Sequence, residues 1–293
     1  MRRIFVLLPL LLFTVLRLAG EWWDEGSFDW ESGKKLAEGV VYAHIVKKSP
    51  RLMDMWVMRF DLRKRKFTFH TGKKAPEYGE PIATHPQRKL TIRTRRQTTA
   101  DFMREAREHG IKMIAAFNAP PWSPWDKVYS KYADRLGLLI SDGELISPVI
   151  PGRPSFTVYD DGTVDFRNFK AADDLSRVRT AVTGFSRMLT GGKVDSSDKS
   201  LAPRTGFGLS GDRRFFYVVV IDGRQSRFSM GSTVGEVGFI LRHLGAADGL
   251  NMDGGGSSSF VIWNRRKKQP EMLNHQPAGI VRAVGASLGV AAD

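Results

Sequence analysis

The sequence predicts an α+β fold, a single domain of mixed, mainly antiparallel β-sheet with a few flanking helices. Segments with alternating or β-rich apolar character outnumber helical segments several to one. Two segments carry both a helix start signal and a glycine stop, and no internal repeat is evident. An apolar fraction of 42% over 293 residues supports a sizeable core, which favours one domain of layered sheets.

The strands are predicted from period-two alternation or from short apolar runs between turn residues. They cover residues 40–46, 55–62, 66–69, 111–117, 136–140, 144–146, 155–159, 163–166, 205–209, 214–221 and 260–263. Residues 180–190 are a longer apolar stretch that turns at Gly191-Gly192. Asp142-Gly143 and Asp161-Gly162 are hairpin signals between neighbouring strands.

Both helices begin at a threonine. Thr98 is the predicted N-cap of the first, with Asp101 three residues later, and Gly110 ends it. Thr233 and Glu236 form the corresponding pair for the second helix, which Gly245 ends.

The first residues have the pattern of a secretory signal. Arg2 and Arg3 precede an apolar run over residues 4–16, and Ala19-Gly20 offers a small-residue cleavage site. Such a run is short for a bilayer span, although an uncleaved anchor stays open as the alternative. We therefore predict a signal peptide over residues 1–20, an N-terminal arm without structure of its own over residues 21–37, and one domain over residues 38–293.

Composition restricts the compartment and the partners. Zero cysteines exclude a disulfide framework and thiolate chemistry, and in an exported chain they favour a secreted or periplasmic protein of a bacterial envelope. The net charge of +14 falls to +11 without Arg2, Arg3 and Arg17. This charge favours an anionic glycopolymer or sugar phosphate as partner over nucleic acid, with membrane contact only through an uncleaved signal segment. A solvated basic surface without specificity is the alternative for the runs 63–66 and 265–268, which both resemble hairpin tips.

The stretch 250–259 is the strongest candidate for a functional loop. It places Asp253 before three glycines and three serines, between a predicted helix and a short apolar run. Glycines let a backbone approach a ligand closely, and successive N–H groups form a nest for an anion. A flexible surface loop is the alternative, but the apolar segments on both sides favour a binding turn.

Other polar residues recur at the ends of predicted strands, where scaffolds carry functional groups. Asn118 follows one strand, Arg204 precedes another, and Asp222 and Arg224 follow a third. Each alone has an ordinary explanation as a turn or surface ion pair.

Together the segments 202–206, 218–225, 233–236 and 250–258 resemble the phosphodiester glycosidase family, in order and spacing over about residues 203–261. Weaker similarity includes the region around Asn118 and a glycine-centred segment at Gly184. Two departures stand out. Asn118 is followed by Ala119 and prolines where the family usually has two glycines, and the segment at Gly184 lacks the usual proline.

The resemblance implies hydrolysis of a sugar-1-phosphodiester of the N-acetylglucosamine-1-phosphodiester kind. Two carboxylates, Asp222 and Asp253, would act at the anomeric carbon. Arginine binds phosphate oxygens through its planar fork, which suggests Arg204 as a catalytic group and Arg224 as a phosphate ligand. The predicted substrate-binding residues are Asn118, Trp122, Gly184, Arg224, Gly254, Gly255, Gly256, Ser257 and Ser258. Trp122 and Trp125 would stack on sugar rings, unless they simply pack.

Other reaction classes have little support. None of the six histidines stands in a recognisable base position near Ser257, and Gly-x-Ser-x-Gly is absent. No cofactor is required by the sequence, but a calcium or magnesium ion held by Asp253, Asp222 and backbone oxygens stays open. The alternative function is a non-catalytic binding module for anionic polysaccharide, which the altered Asn118 turn and the positive charge favour.

Overall fold

A computed structural model describes Trp23 and residues 26–83, 89–125, 130–195 and 197–292. The predicted signal peptide, residues 1–20, lies outside the described residues. Within these ranges no helix is both long and apolar enough to cross a membrane.

The strands in chain order are β1 (Lys34–Ala37), β2 (Val40–Lys47), β3 (Met53–Asp61), β4 (Phe67–Thr71), β5 (Thr94–Arg95), β6 (Met113–Asn118), β7 (Tyr132–Ala133), β8 (Leu139–Ser141), β9 (Glu144–Ser147), β10 (Pro154–Tyr159), β11 (Val164–Asn168), β12 (Val178–Thr183), β13 (Ser186–Thr190), β14 (Lys193–Val194), β15 (Arg204–Leu209), β16 (Phe215–Ile221), β17 (Asp248–Asn251), β18 (Phe260–Asn264), β19 (Gln269–Met272) and β20 (Ser287–Ala292). The helices are α1 (Thr99–Glu108) and α2 (Val234–His243). Thr98 and Thr233 cap them as predicted, and α2 has the complete capping box with Glu236.

Three large sheets organise the chain. The eight-stranded sheet has the order β1-β2-β3-β16-β15-β17-β13-β14 and is called the large sheet below. The β10 sheet has the order β11-β10-β12-β8-β9, and the β6 sheet has the order β19-β18-β6-β20-β4. The protein is predominantly β, with 43% strand and two α-helices in its described part.

The prediction of a mixed sheet needs correction, because every strand pair in the described ranges is antiparallel. Tight turns reverse the chain between successive strands. Asp142 and Gly143, for example, both have positive φ in the turn that joins β8 to β9.

Alternation along β16 shows how the layers form. Phe216, Val218 and Val220 belong to the main core, which the large sheet shares with both five-stranded sheets. The intervening residues 217, 219 and 221 belong to a second core beneath α2. Because successive side chains of a strand point to opposite faces, one apolar strand serves both cores. Helix α1 covers the outer face of the β6 sheet.

The N-terminal arm differs from its prediction. Trp23 and Trp30 are buried in the second core, and the Trp30 indole N–H donates to the Leu244 carbonyl at 3.0 Å. Residues 34–37 form β1 at the edge of the large sheet. Burial of these two large aromatic side chains favours packing of the arm against α2.

One of the two basic runs is the predicted hairpin tip. Residues 265–268 join β18 to β19, which pair. Residues 63–66 instead connect β3 of the large sheet to β4 of the β6 sheet, so this run is a crossing between layers.

Candidate active site

The loop that carries Asp253 crosses between two sheets. It leaves β17 in the large sheet and enters β18 in the β6 sheet. Its backbone is fixed on both sides, since the Met252 N–H donates to Thr205 O at 3.0 Å and the Asp253 N–H donates to Ala119 O at 3.0 Å. Thr205 belongs to β15 of the large sheet, and Ala119 directly follows β6. The position of Asp253 is therefore set by both layers.

Two of the loop glycines are required by close backbone packing. A Cβ on Gly254 would lie 2.7 Å from the Pro203 carbonyl oxygen. Gly255 has φ +61°, which disfavours other residues, and its N–H donates to the same carbonyl at 2.8 Å. The sequence Gly254-Gly255 thus lets the loop lie directly against the strand that begins at Arg204.

Asn118 holds this crossing together. Its side-chain Nδ2 donates to the Asp253 carbonyl at 2.7 Å. Its Oδ1 accepts from the Thr205 hydroxyl at 2.8 Å and from the Ser259 N–H at 2.9 Å. Asn118 is fully buried at the end of β6, so it positions the loop and does not line the cleft.

A cleft of about 630 Å³ opens over this loop. Of the predicted site residues it is lined by Trp122, Arg204, Arg224, Asp253, Gly254, Gly255, Gly256 and Ser257. Asn118, Gly184, Asp222 and Ser258 do not line it. Asp253 is the one carboxylate among the lining residues, whereas Arg135, Arg153 and Arg282 add positive charge that the sequence did not indicate.

The environment of Asp253 raises the pKa of its carboxyl group to about 6, because burial disfavours the charged form. Four contacts lower this pKa and so limit the increase. They are hydrogen bonds from Ser257 and from the Gly254 N–H, the positive charge of Arg282, and the Trp122 indole. The Gly254 N–H lies 3.0 Å from Oδ1. Asp253 is therefore an acid whose ionisation lies near neutral pH, as expected of a catalytic group.

Two guanidinium groups contact the glycine run. A Cβ on Gly255 would lie 3.1 Å from Nη1 of Arg224, and a Cβ on Gly256 would lie 2.8 Å from Cζ of Arg282. The absence of side chains at these glycines makes room for both cations beside Asp253. The sequence motifs did not indicate Arg282, because no other polar residue stands beside it. A single charged residue in an otherwise apolar segment is the signal that could have identified it.

Arg204 also lines the cleft, but its fork is engaged by the protein. Nε donates to the Ser232 carbonyl at 3.1 Å. Nη2 lies 3.0 Å from the Asp198 carboxylate and 2.7 Å from the Ser200 carbonyl. This arrangement fixes the loop before β15, and it leaves little of the planar fork for a bidentate phosphate contact.

Asp222 lies behind the loop in a buried network, with 1% of its surface exposed. Its carboxylate accepts from the Asn274 side chain at 3.0 Å and from the His275 N–H at 2.9 Å. Burial raises the pKa of Asp222 to about 6. The geometry does not bring Asp222 into the cleft with Asp253, so the predicted pair of carboxylates is not assembled there.

The remaining predicted residues have packing roles or line the rim. A Cβ on Gly184 would lie 2.8 Å from the Asn251 carbonyl oxygen, so this glycine lets β17 end close by. The Ser258 hydroxyl is buried and has no hydrogen-bond partner among the residues that are described. Trp122 is buried beneath the cleft with the Arg96 guanidinium 4.2 Å from its ring centroid, whereas Trp125 is exposed at the rim.

No group of three or more histidine, aspartate or glutamate residues is suited to hold a metal ion in the described ranges. The pair proposed for a calcium or magnesium ion, Asp222 and Asp253, is divided between the buried network and the cleft.

Comparisons with known proteins agree with this fold. The sequence model of the phosphodiester glycosidase family matches residues 115–291. No curated protein sequence matches the chain. Among solved structures, the catalytic domain of zebrafish N-acetylglucosamine-1-phosphodiester alpha-N-acetylglucosaminidase, auto-inhibited by its pro-peptide, has a TM-score of 0.59 at 17% identity, over 92% of this chain and 87% of that one.

Two further structures are similar. A hypothetical protein from Synechocystis has a TM-score of 0.57 at 13% identity, over 87% of this chain and 62% of that one. A Burkholderia pseudomallei protein thought to be exported has a TM-score of 0.55 at 13% identity, over 82% of this chain and 74% of that one. At these identities the similarity establishes the fold.

Proposed function

Because this chain belongs to the phosphodiester glycosidase family, we propose that it hydrolyses a sugar-1-phosphodiester of the N-acetylglucosamine-1-phosphodiester kind. The observation that carries the proposal is that Asp253, on the glycine loop, lines one open cleft together with Arg224 and Arg282, whose guanidinium groups contact the same loop. A carboxylate beside two guanidinium groups suits a substrate with an electrophilic sugar carbon and an adjacent phosphate.

Asp253 acts at the anomeric carbon. Cleavage of the bond between C1 and its phosphate oxygen develops positive charge on the sugar ring, which a nearby carboxylate stabilises. Above its pKa of about 6, Asp253 is ionised and able to do so. The leaving group is a phosphate monoester, which is a stable anion, so a second carboxyl group to protonate the leaving oxygen is not needed, in agreement with the position of Asp222 outside the cleft.

Arg224 and Arg282 bind the phosphate. Arginine contacts to phosphate oxygens are charge-assisted and planar, and they strengthen as negative charge grows on the departing group. Gly256 contributes backbone at the same wall, whereas the N–H groups of Gly254 and Gly255 donate to Asp253 and to the Pro203 carbonyl. The Ser257 side chain hydrogen-bonds Asp253 and so supports the carboxylate. Arg204 supports this wall from the side through Ser232 and Ser200, and its part is positioning.

The overall reaction is balanced with water alone. Water supplies the hydroxyl group that C1 gains, the bond between C1 and the phosphate oxygen breaks, and the alcohol departs as its phosphate monoester with release of one proton. Asp253 serves either as the base that takes the proton from water or as the group that first bonds C1.

The test uses N-acetylglucosamine-1-phosphodiesters in ¹⁸O-labelled water. We expect free sugar that carries the label and a phosphate monoester without it, because C1 is the carbon attacked. Label in the phosphate would indicate a phosphodiesterase. Tight binding of anionic polysaccharide without any product would instead favour the binding module.

We also propose that the chain is exported and acts on an envelope or extracellular glycopolymer. The support is the signal pattern of residues 1–20 and the positive charge of the remaining sequence. Mass spectrometry of the protein from an envelope fraction tests export. An N-terminus near residue 21 is expected, and an intact Met1 would contradict cleavage.

A further inference from the structure

A second cavity adjoins the candidate active site. Its volume is about 470 Å³, and it shares Arg224, Gly256, Arg282 and Trp125 with the first cleft. The two cavities therefore meet at the wall where the arginines contact the glycine run. This wall therefore has room for one substituent of a phosphodiester in each cavity.

The second cavity differs from the first in its chemistry. Ile280 and Val281 line it, and they are 70% and 49% exposed, while Trp125 at the shared rim is 65% exposed. Asp253 lines the first cleft and not this one. Large apolar side chains grouped on an open surface indicate a site for an apolar partner, since their exposure to water is unfavourable.

We propose that the alcohol half of the substrate is an apolar chain, which this second cavity binds. This inference rests on the function proposed above and names the class of substrate: a sugar-1-phosphodiester of a hydrophobic alcohol. The sugar lies in the larger cleft beside Asp253, the phosphate lies against Arg224 and Arg282, and the chain extends over Ile280 and Val281.

Continuity with the arginine wall identifies the occupant. A second sugar would present hydroxyl groups to Ile280 and Val281, which offer no hydrogen-bond partner through their side chains. An apolar chain instead removes these side chains from water while its phosphate stays paired with cations. Charge at one end and apolar surface at the other match an amphiphilic substrate.

The experiment compares ethyl and hexyl phosphodiesters of N-acetylglucosamine-1-phosphate below the concentration at which the hexyl ester aggregates. Full burial of one methylene group increases the binding affinity roughly fourfold, and partial burial in an open groove increases it about twofold. With four additional methylenes we expect kcat/KM for the hexyl ester to exceed that for the ethyl ester by at least about tenfold. An ester of equal length made from a diethylene glycol ether should behave like the ethyl ester.

Variants locate the effect. Ile280→Asn and Val281→Asn should reduce the hexyl-to-ethyl ratio toward one, while Val46→Asn, at an equally exposed valine of β2, keeps the wild-type ratio. The ratio compares two substrates on one protein, so a loss of folded enzyme does not alter it.

Several results would overturn the inference. Equal kcat/KM for the hexyl, ethyl and ether esters would exclude an apolar site while leaving the glycosidase proposal intact. An unchanged ratio in both variants would place the chain elsewhere. If none of the esters is cleaved, the proposed function fails first and the inference fails with it.

Discussion

The Asp253→Asn variant tests whether the Asp253 carboxylate is needed for activity while its charge lowers the stability of the fold. Burial moves the pKa of Asp253 from 3.8 to about 6 in the folded protein. At about 1.4 kcal/mol per pKa unit, holding this group ionised at pH 7 costs the fold about 3 kcal/mol. Asparagine has the same shape without the charge. The variant should be more stable than the wild type at pH 7 by up to about 3 kcal/mol, or roughly 6–10 °C in Tm.

The sign of the pH dependence follows from the raised pKa. The protonated carboxyl group is favoured in the folded state, so its contribution to stability is complete below about 3.8 and is lost as the pH rises through about 6. The stability difference between variant and wild type should therefore shrink toward zero near pH 4. The turnover rate should depend on pH in the opposite way. Wild-type activity should rise as the pH passes about 6, and at pH 7 the turnover rate of Asp253→Asn should be at least about a hundredfold below that of the wild type.

Thermal unfolding and initial rates on the same preparations measure both effects. Asp248→Asn is the control, because Asp248 is buried but lies 2.6 Å from the Arg213 guanidinium. Removing that paired charge should lower Tm. A wild-type rate for Asp253→Asn would refute the catalytic assignment. A fall in its Tm at pH 7 would refute the proposed cost of the buried charge.

Four further results are expected. Arg282→Gln should raise KM for a phosphodiester at least about tenfold and leave KM for a neutral nitrophenyl glycoside little changed, because only the phosphodiester carries a negative charge that pairs with Arg282. Steady-state kinetics measures KM for both substrates, and an equal increase for both would contradict a phosphate contact. Asn118→Ala should lower the free energy of unfolding by about 3 kcal/mol, because it leaves two buried partners and one part-buried partner without a hydrogen bond; a urea denaturation curve like that of the wild type would contradict the role of Asn118 in the crossing. Asp222→Asn should leave the activity inflection near pH 6 in place, and loss of the inflection would assign it to Asp222 and not to Asp253. Activity on an anionic polymer should decrease from low to physiological salt because ions screen the basic surface, and a rate indifferent to salt would remove that surface from the mechanism.

Local structure was predictable because its signals lie close together in the sequence. The cap residues Thr98 and Thr233 mark the helix starts, and Asp142-Gly143 marks a turn whose positive φ values few other residues accept. Most strands were found within a few residues of their ends. The single stretch 180–190 is in fact two strands, β12 and β13, in different sheets. The chain passes from the β10 sheet to the large sheet at Gly184, between these two strands. The apolar content is high on both sides of Gly184, so it did not indicate that the chain changes sheets there.

The assembly of the site was only partly predictable. Asp253, its glycines and Arg224 were identified from the loop itself and from the family resemblance, and they do line one cleft. Whether a charged side chain enters the cleft depends on partners far away in the sequence. Asp222 is turned to the 274–275 segment, and Arg282 reaches the loop from near the end of the chain. Spacing does not encode such long-range pairing.

The crossing of the Asp253 loop between two sheets makes the site a cooperative property of the whole domain. Thr205 of the large sheet and Ala119 beside the β6 sheet both hold the loop backbone. Because the loop is hydrogen-bonded to both layers, we expect the Asp253 amide to exchange with solvent mainly when the layers separate. A ligand at Asp253 therefore stabilises both layers at once. On heating, the enzyme should lose activity and tertiary structure in the same transition.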